Sequence, residues 1–149
     1  SMQPSHCTSD MKWLKDRIGA HRLHRISRWK TLLDNGIVIA GGSDCPIEEG
    51  NPIYEYYAAV TRTNHEGFPK GGWQPQELLS RIEGLKILTQ GGAFAEFSEN
   101  YRGIIDVGYE ADLTILSDDI TSINHDKILK TSIVATIVNG SIVYGQNKL

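Results

Sequence analysis

An α/β fold is predicted from three observations. Helical patterns alternate with an apolar strand through residues 11–62, that strand ends in Gly41-Gly42-Ser43-Asp44, and from Gly103 onward helical spacing gives way to short strands. A helix feeding an apolar strand that feeds another helix is the pattern of a parallel sheet. The carboxyl edge of such a sheet is where functional side chains collect.

Taken in order, Met11, Leu14 and Ile18 recur at helical spacing and Gly19 supplies a stop, which predicts a short helix. Leu23, Ile26, Trp29, Leu32 and Leu33 mark a second helix, ended by Asn35-Gly36 and followed directly by the strand Ile37-Val38-Ile39-Ala40. The residues of that strand are β-branched or small. Gly41 and Gly42 allow close backbone approach, and Pro46 suits the first turn of whatever follows. Ile53, Tyr56, Tyr57 and Val60 form the stripe of an amphipathic helix with Asn51 as its cap and Pro52 at its first position.

A loop rich in Gly and Pro follows from Asn64 to Gln74. Ser80-Arg81-Ile82-Glu83 is a capping box opening a helix to about Thr89, with Gly91-Gly92 as an interruption before Ala93 to Phe97. These apolar positions read as core, and they contain no cofactor box. The tail offers three strands, Ala111 to Leu116, Ser132 to Val138 and Ser141 to Tyr144, the last two joined by the type I′ hairpin signal Asn139-Gly140. The expected boundary lies near Tyr101 to Gly103.

The composition excludes several classes. With 149 residues, 40% hydrophobic and 22% charged, the chain has the make-up of a soluble globular domain rather than a disordered one. The formal charge is only −3 and Lys and Arg are scattered among acids, so no basic stripe argues for nucleic acid as a partner. No apolar run is long enough to span a membrane, and the start Ser1-Met2-Gln3-Pro4 lacks the features of a signal peptide. Two cysteines, Cys7 and Cys45, make no disulfide framework, so a reducing, cytoplasmic compartment is expected. No closely spaced Cys pair supports a thiolate metal site, and both read as small hydrophobes.

Asp44 is the residue to explain. On the residues alone it is either a cap for a following helical turn or a carboxylate delivered to a reactive sheet edge. The continuation Glu48-Glu49-Gly50-Asn51-Pro52-Ile53-Tyr54-Glu55-Tyr56-Tyr57-Ala58-Ala59-Val60-Thr61-Arg62, with Gln3-Pro4-Ser5-His6 upstream and Gly103-Ile104-Ile105-Asp106-Val107-Gly108-Tyr109-Glu110-Ala111-Asp112-Leu113 downstream, resembles the carboxyl-terminal third of metal-dependent hydrolases of the amidohydrolase superfamily. The resemblance spans nearly the whole chain, with its three motifs in the family's order.

The resemblance implies the terminal part of a TIM (β/α)8 barrel followed by a small β-sandwich segment. Residues 1–102 would be the last two βα units and residues 103–149 the β-sandwich segment, which in the family pairs with strands from before the barrel. Ser1 to Ser5 would end one barrel strand and Asp44 would close strand eight. Asp44 would bind a divalent metal, zinc as first choice, and take a proton from the attacking water. The chemistry agrees, since a carboxylate can both ligate an ion and accept a proton from water acidified by it.

By the same resemblance, His6 would lie beside the strand bearing Asp44 and donate to a substrate carbonyl or the tetrahedral intermediate; its alternative is an ordinary, partly exposed histidine. Arg62 is a weak candidate for an acidic substrate group, its alternative being to balance a helix dipole. His21 and His24 share a helical face, but Arg22 and Arg25 beside them favour a solvated surface. His65 and His125 read as surface residues, His65 in a loop able to cover a pocket mouth.

An eight-stranded barrel needs about 250 residues, so this chain cannot close one alone. By resemblance, the His-X-His motif of strand one, a bridging acidic or modified lysine ligand and further histidines lie elsewhere. The expected function is that of a fragment of a metal-dependent amidohydrolase, which in complete form hydrolyses a non-peptide carbon–nitrogen bond in an amide or cyclic amide. Its expected partners are a small-molecule amide and the upstream portion of the same protein or a second chain, with a homo-oligomer as a further possibility and no membrane or nucleic acid. The other reading is a non-catalytic binding or assembly module in which Asp44 is only a helix cap.

Overall fold

The computed structural model describes residues 1–145, as seven short α-helices and one three-stranded antiparallel sheet. In chain order these are α1 (Pro4–Asp10), α2 (Leu14–Ile18), α3 (Trp29–Asp34), α4 (Pro52–Thr61), α5 (Arg81–Leu88), α6 (Gln90–Ala95), β1 (Leu113–Leu116), α7 (His125–Ile128), β2 (Ile133–Val138) and β3 (Ser141–Tyr144). Two 3-10 segments, Ala20–Arg25 and Pro75–Glu77, link them.

The centre of the core is α4, for a reason visible in its residues. Asn51 caps it by accepting the Ile53 N–H at 3.0 Å, Pro52 fills the first turn, and every residue from Glu55 to Thr61 is buried. Ile53, Tyr56, Tyr57 and Val60 join Cys7, Trp29, Ile39, Leu79, Ile87, Ile120 and Ile128 in one apolar cluster. That cluster draws on both sides of the expected boundary at residues 102 and 103. Across it, the Tyr56 hydroxyl donates to Ile120 O at 3.1 Å and Arg81 Nη2 to Ile123 O at 2.8 Å. Helix α5 opens with the complete Ser80/Glu83 capping box and approaches α4 closely at Gly84, where an added Cβ would meet Val60 Cγ1 at 2.6 Å.

The tail follows its reading. Strands β1, β2 and β3 pair in that order, and Asn139 and Gly140 have φ of +47° and +75°, the two positive angles that a type I′ turn needs.

Several expectations are corrected. The second predicted helix breaks at Ser27, which has a φ of +53°; a 3-10 segment covers its first half and only α3 is α-helical. The Gly91-Gly92 pair does not interrupt a helix but lies inside α6, and the break falls at Thr89. Gly91 is there because its Cα packs on the chain: a Cβ would stand 1.9 Å from Ile39 O.

The segment Ile37 to Ala40 is extended but among the described residues forms no ladder, only leading to one isolated parallel bridge between Met2 and Gly41. Ile37 and Val38 are 51% and 52% exposed, because among the described residues no strand lies beside them. Ser1 to Ser5 likewise contribute only that bridge before α1 begins at Pro4, so His6 lies within a helix rather than after a strand. Among the described residues the tail forms one three-stranded sheet.

Candidate functional site

The Met2–Gly41 bridge sets the site's geometry. Met2 N–H donates to Ala40 O at 2.8 Å and Gly42 N–H donates to Met2 O at 3.0 Å, so the chain entering α1 runs beside the chain entering the Asp44 turn. Asp44 takes a φ of +56°, a left-handed conformation that Asp tolerates better than most residues. The turn is closed by Ile47 N–H donating to Asp44 O at 2.8 Å. Pro46 stands inside this turn, after a cis peptide bond, and not in the first turn of a helix. Among the described residues the Asp44 carboxylate makes no hydrogen bond or ion pair and is exposed, so it caps nothing.

His6 is held by α1. Gln3 gives this helix no side-chain cap. The open N–H of Ser5 is instead satisfied from across the fold: Glu55 Oε2 accepts it at 3.0 Å, and Glu55 Oε1 accepts the Ser5 hydroxyl at 2.5 Å. Further along the helix, Ser9 Oγ donates to Glu48 Oε1 at 2.5 Å, tying α1 to the loop that leaves the Asp44 turn. His6 Nε2 is buried and has no hydrogen-bond partner among the described residues, which leaves one polar atom of this ring open to another group.

The acids around His6 feel both burial and one another. Burial pushes the Asp10 carboxyl up, His6 pulls it back, and Glu48 adds to the rise. Burial also pushes Glu55 up; the two Ser5 hydrogen bonds oppose it and Glu48 reinforces it. Glu55, Glu48 and Ser5 were not singled out from sequence. The available signal is that Glu55 and Arg62 are the only charged residues from Pro52 to Arg62, in a helix otherwise buried nearly all round.

Arg62, expected to meet an acidic substrate group, does not face solvent. It is 0% exposed, its Nε donates to Trp73 O at 2.5 Å and its Nη1 to Ser27 O at 3.0 Å, and the guanidinium lies over the Trp29 and Trp73 rings. A cation so enclosed by indoles and carbonyls serves the core.

The remaining candidates scatter. His21 and His24 lie exposed on the first 3-10 segment, His65 packs against Tyr54 with ring centroids 4.4 Å apart, and His125 begins α7. Cys7 is buried, with its thiol pushed up to about 12 by desolvation, while Cys45 is exposed. Among the described residues no grouping of three or more His, Cys, Asp or Glu side chains can hold a metal ion. Asp44 fits a divalent cation as a single oxygen donor. No described helix is long and apolar enough to cross a membrane.

Known proteins show the same pattern. The sequence pattern of the amidohydrolase family matches residues 1–144. The putative amidohydrolase YtcJ of Bacillus subtilis is 38% identical over 143 residues, which are 96% of this chain and 27% of that protein. The N-substituted formamide deformylase of Arthrobacter pascens is 26% identical over 77% of this chain and 21% of its own length. The crystal structure of an uncharacterised metal-dependent hydrolase from Pyrococcus horikoshii superposes with a TM-score of 0.72 at 26% identity, covering 83% of this chain and 25% of that one. The chain spans about a quarter of the length of the curated relatives it matches. It belongs to the amidohydrolase family.

Proposed function

We propose that this chain supplies the Asp44 edge of a metal-dependent hydrolase that cleaves carbon–nitrogen bonds other than peptide bonds. The observation that carries the reading is the Asp44 carboxylate itself, presented on a positive-φ turn and satisfied by nothing among the described residues. Such backbone conformations are sparsely populated and tend to be kept where a side chain must be aimed. The printed activity of the Arthrobacter relative, deformylation of N-substituted formamides, supports an amide substrate.

In this reading residues 1–102 form the end of a (β/α)8 barrel, and the isolated parallel Met2–Gly41 bridge supports it. A divalent metal, zinc as first choice, acidifies water and polarises the carbonyl when bound. Asp44 would be one of its ligands, the others coming from outside this chain. The Asp44 carboxylate accepts the proton of the attacking water and returns it to the leaving nitrogen, and His6 donates to the carbonyl oxygen through the ring atom that is otherwise unsatisfied. Water and R–NH–CHO thus become R–NH2 and formic acid.

The test is turnover by the full-length protein containing this chain, supplied with zinc and formanilide, a formamide whose hydrolysis releases an absorbing amine. Asp44→Asn keeps the shape and removes the basic oxygen, so turnover should fall by about 10²–10⁴-fold with the fold intact. Turnover near the wild-type rate in a folded Asp44→Asn variant makes Asp44 only a turn residue.

A further inference from the structure

We propose that Glu55 is a positioning residue for His6, capping α1 from across the fold and thereby fixing the helix that carries the imidazole. This rests on the hydrolase reading above.

Three observations converge. First, α1 has a defect that its own residues do not repair, since Gln3 makes no side-chain cap and Ser5 N–H has no partner within the helix. The Glu55 carboxylate repairs it with both oxygens, one on the Ser5 amide at 3.0 Å and one on the Ser5 hydroxyl at 2.5 Å. Two bonds to adjacent groups of one residue fix orientation as well as distance, and Ser5 immediately precedes His6.

Second, Glu55 is only 2% exposed, and burying a carboxylate is unfavourable unless it is hydrogen-bonded. Its position in the first turn of α4, a ten-residue helix, sets the charge near the positive end of that helix and offsets part of the penalty. An apolar residue would satisfy the packing at this place. Among the described residues the Glu55 carboxylate hydrogen-bonds only to Ser5, so the buried acid answers to Ser5.

Third, α4 is tied to both halves of the site. Its cap, Asn51, ends the loop that begins at Asp44, and its Glu55 holds the start of α1. The Ser9–Glu48 bond at 2.5 Å closes the same circuit from the other end of α1. One turn of α4 thus sets where the Asp44 loop ends and where the His6 helix begins. His6 acts on this helix with its Nε2 buried and open, so a shift of α1 moves the donor that the proposed reaction uses.

The experiment compares Glu55→Gln, Glu55→Leu and Ser5→Ala in the full-length protein. Two readouts are taken: kcat and KM on formanilide with zinc, and the rate at which diethyl pyrocarbonate modifies His6, followed by peptide mass. Glu55→Gln keeps an acceptor for the Ser5 amide and a donor for the Ser5 hydroxyl, so it should stay within about threefold of wild type on both. Glu55→Leu should lose about 10²-fold in kcat with KM changed less than about threefold, the cost of a misplaced group, and His6 modification should accelerate about tenfold. Ser5→Ala, which keeps the amide bond, should fall between.

Wild-type kcat and wild-type His6 reactivity in Glu55→Leu would overturn the inference. Equal losses in Glu55→Gln and Glu55→Leu would overturn it as well, because the charge rather than the placement would then matter. If the wild-type protein does not hydrolyse formanilide at all, the substrate reading fails by itself, and His6 reactivity across the three variants still decides the role of Glu55.

Discussion

The guanidinium carbon of Arg62 lies 4.4 Å from the centroid of the Trp29 ring, inside the core. Trp73 covers it at 5.4 Å, and Ser27 O and Trp73 O take two of its hydrogen bonds. Burial pushes this guanidinium below its ordinary value, and the nearby Cys7 and Glu77 oppose that shift. Arg62→Ala should therefore destabilise the fold by about 3 kcal/mol, from two lost charge-assisted bonds and the stacking. Arg62→Lys should recover only part of it, since an ammonium lacks the fork that serves both carbonyls. Denaturation midpoints measure both, and an Arg62→Ala variant as stable as wild type would contradict the packing.

His6→Ala should lower turnover by about 10²-fold if its open Nε2 donates to the oxyanion, with the helix content unchanged. Unchanged kinetics would leave His6 as a partly buried helix residue. The loss should be smaller than that of Asp44→Asn, because Asp44 serves both as ligand and as base in this reading.

Much of the fold was legible because local chemistry decides it. Asn51-Pro52, the Ser80/Glu83 box and Asn139-Gly140 each fix a backbone conformation through their own side chains, and all three appear in place. The segment Ile37 to Ala40 was legible as extended but not as unpaired, since a ladder depends on neighbours that no local pattern encodes. Helix α1 was missed because its cap comes from Glu55, 50 residues away. Asp44 stands out as a candidate from its Gly-Ser-Asp motif alone. The burial of Arg62 was not legible because a helix-terminal arginine is usually exposed, whereas this one follows a helix buried nearly all round.

Two glutamates should give stability opposite pH dependences. Burial pushes Glu83 up, but the Ser80 N–H at 2.8 Å and Lys30 at 3.0 Å outweigh it and hold the carboxyl below the ordinary 4.5. Its contribution is present above 4.5 and is lost as pH falls through the lower, folded value. Glu55 is held above 4.5, chiefly by burial, so its contribution is full below 4.5 and declines as pH rises through the higher, folded value. Urea midpoints from about pH 3 to pH 8 should show wild type gaining on Glu83→Gln with rising pH, by about 1 kcal/mol at neutrality. Wild type should lose ground to Glu55→Gln over the same range. Slopes of one sign for both variants would refute the assignment.

The last prediction concerns what covers the open edges. Ile37 and Val38 stand half exposed on an extended segment whose outer side has no strand beside it among the described residues, and they line an apolar trough with Leu33, Ile87 and Phe94. Ile105, Val107, Ile142 and Val143 also stand exposed on the tail, Val107 at 98%. Unpaired extended backbone flanked by apolar side chains is a template for another strand. The chain covers 27% of its Bacillus relative, so the occupant we expect is the remaining part of such a longer hydrolase, contributing the neighbouring barrel strand and the strands that pair with the tail. The 149-residue chain on its own should self-associate, and co-expression with the upstream part should give a one-to-one complex. Light scattering with intact-mass measurement on the same sample reads this directly. A monodisperse, cooperatively melting monomer of 16.6 kDa would show that the chain closes its own core, and the partial-barrel reading would have to be given up.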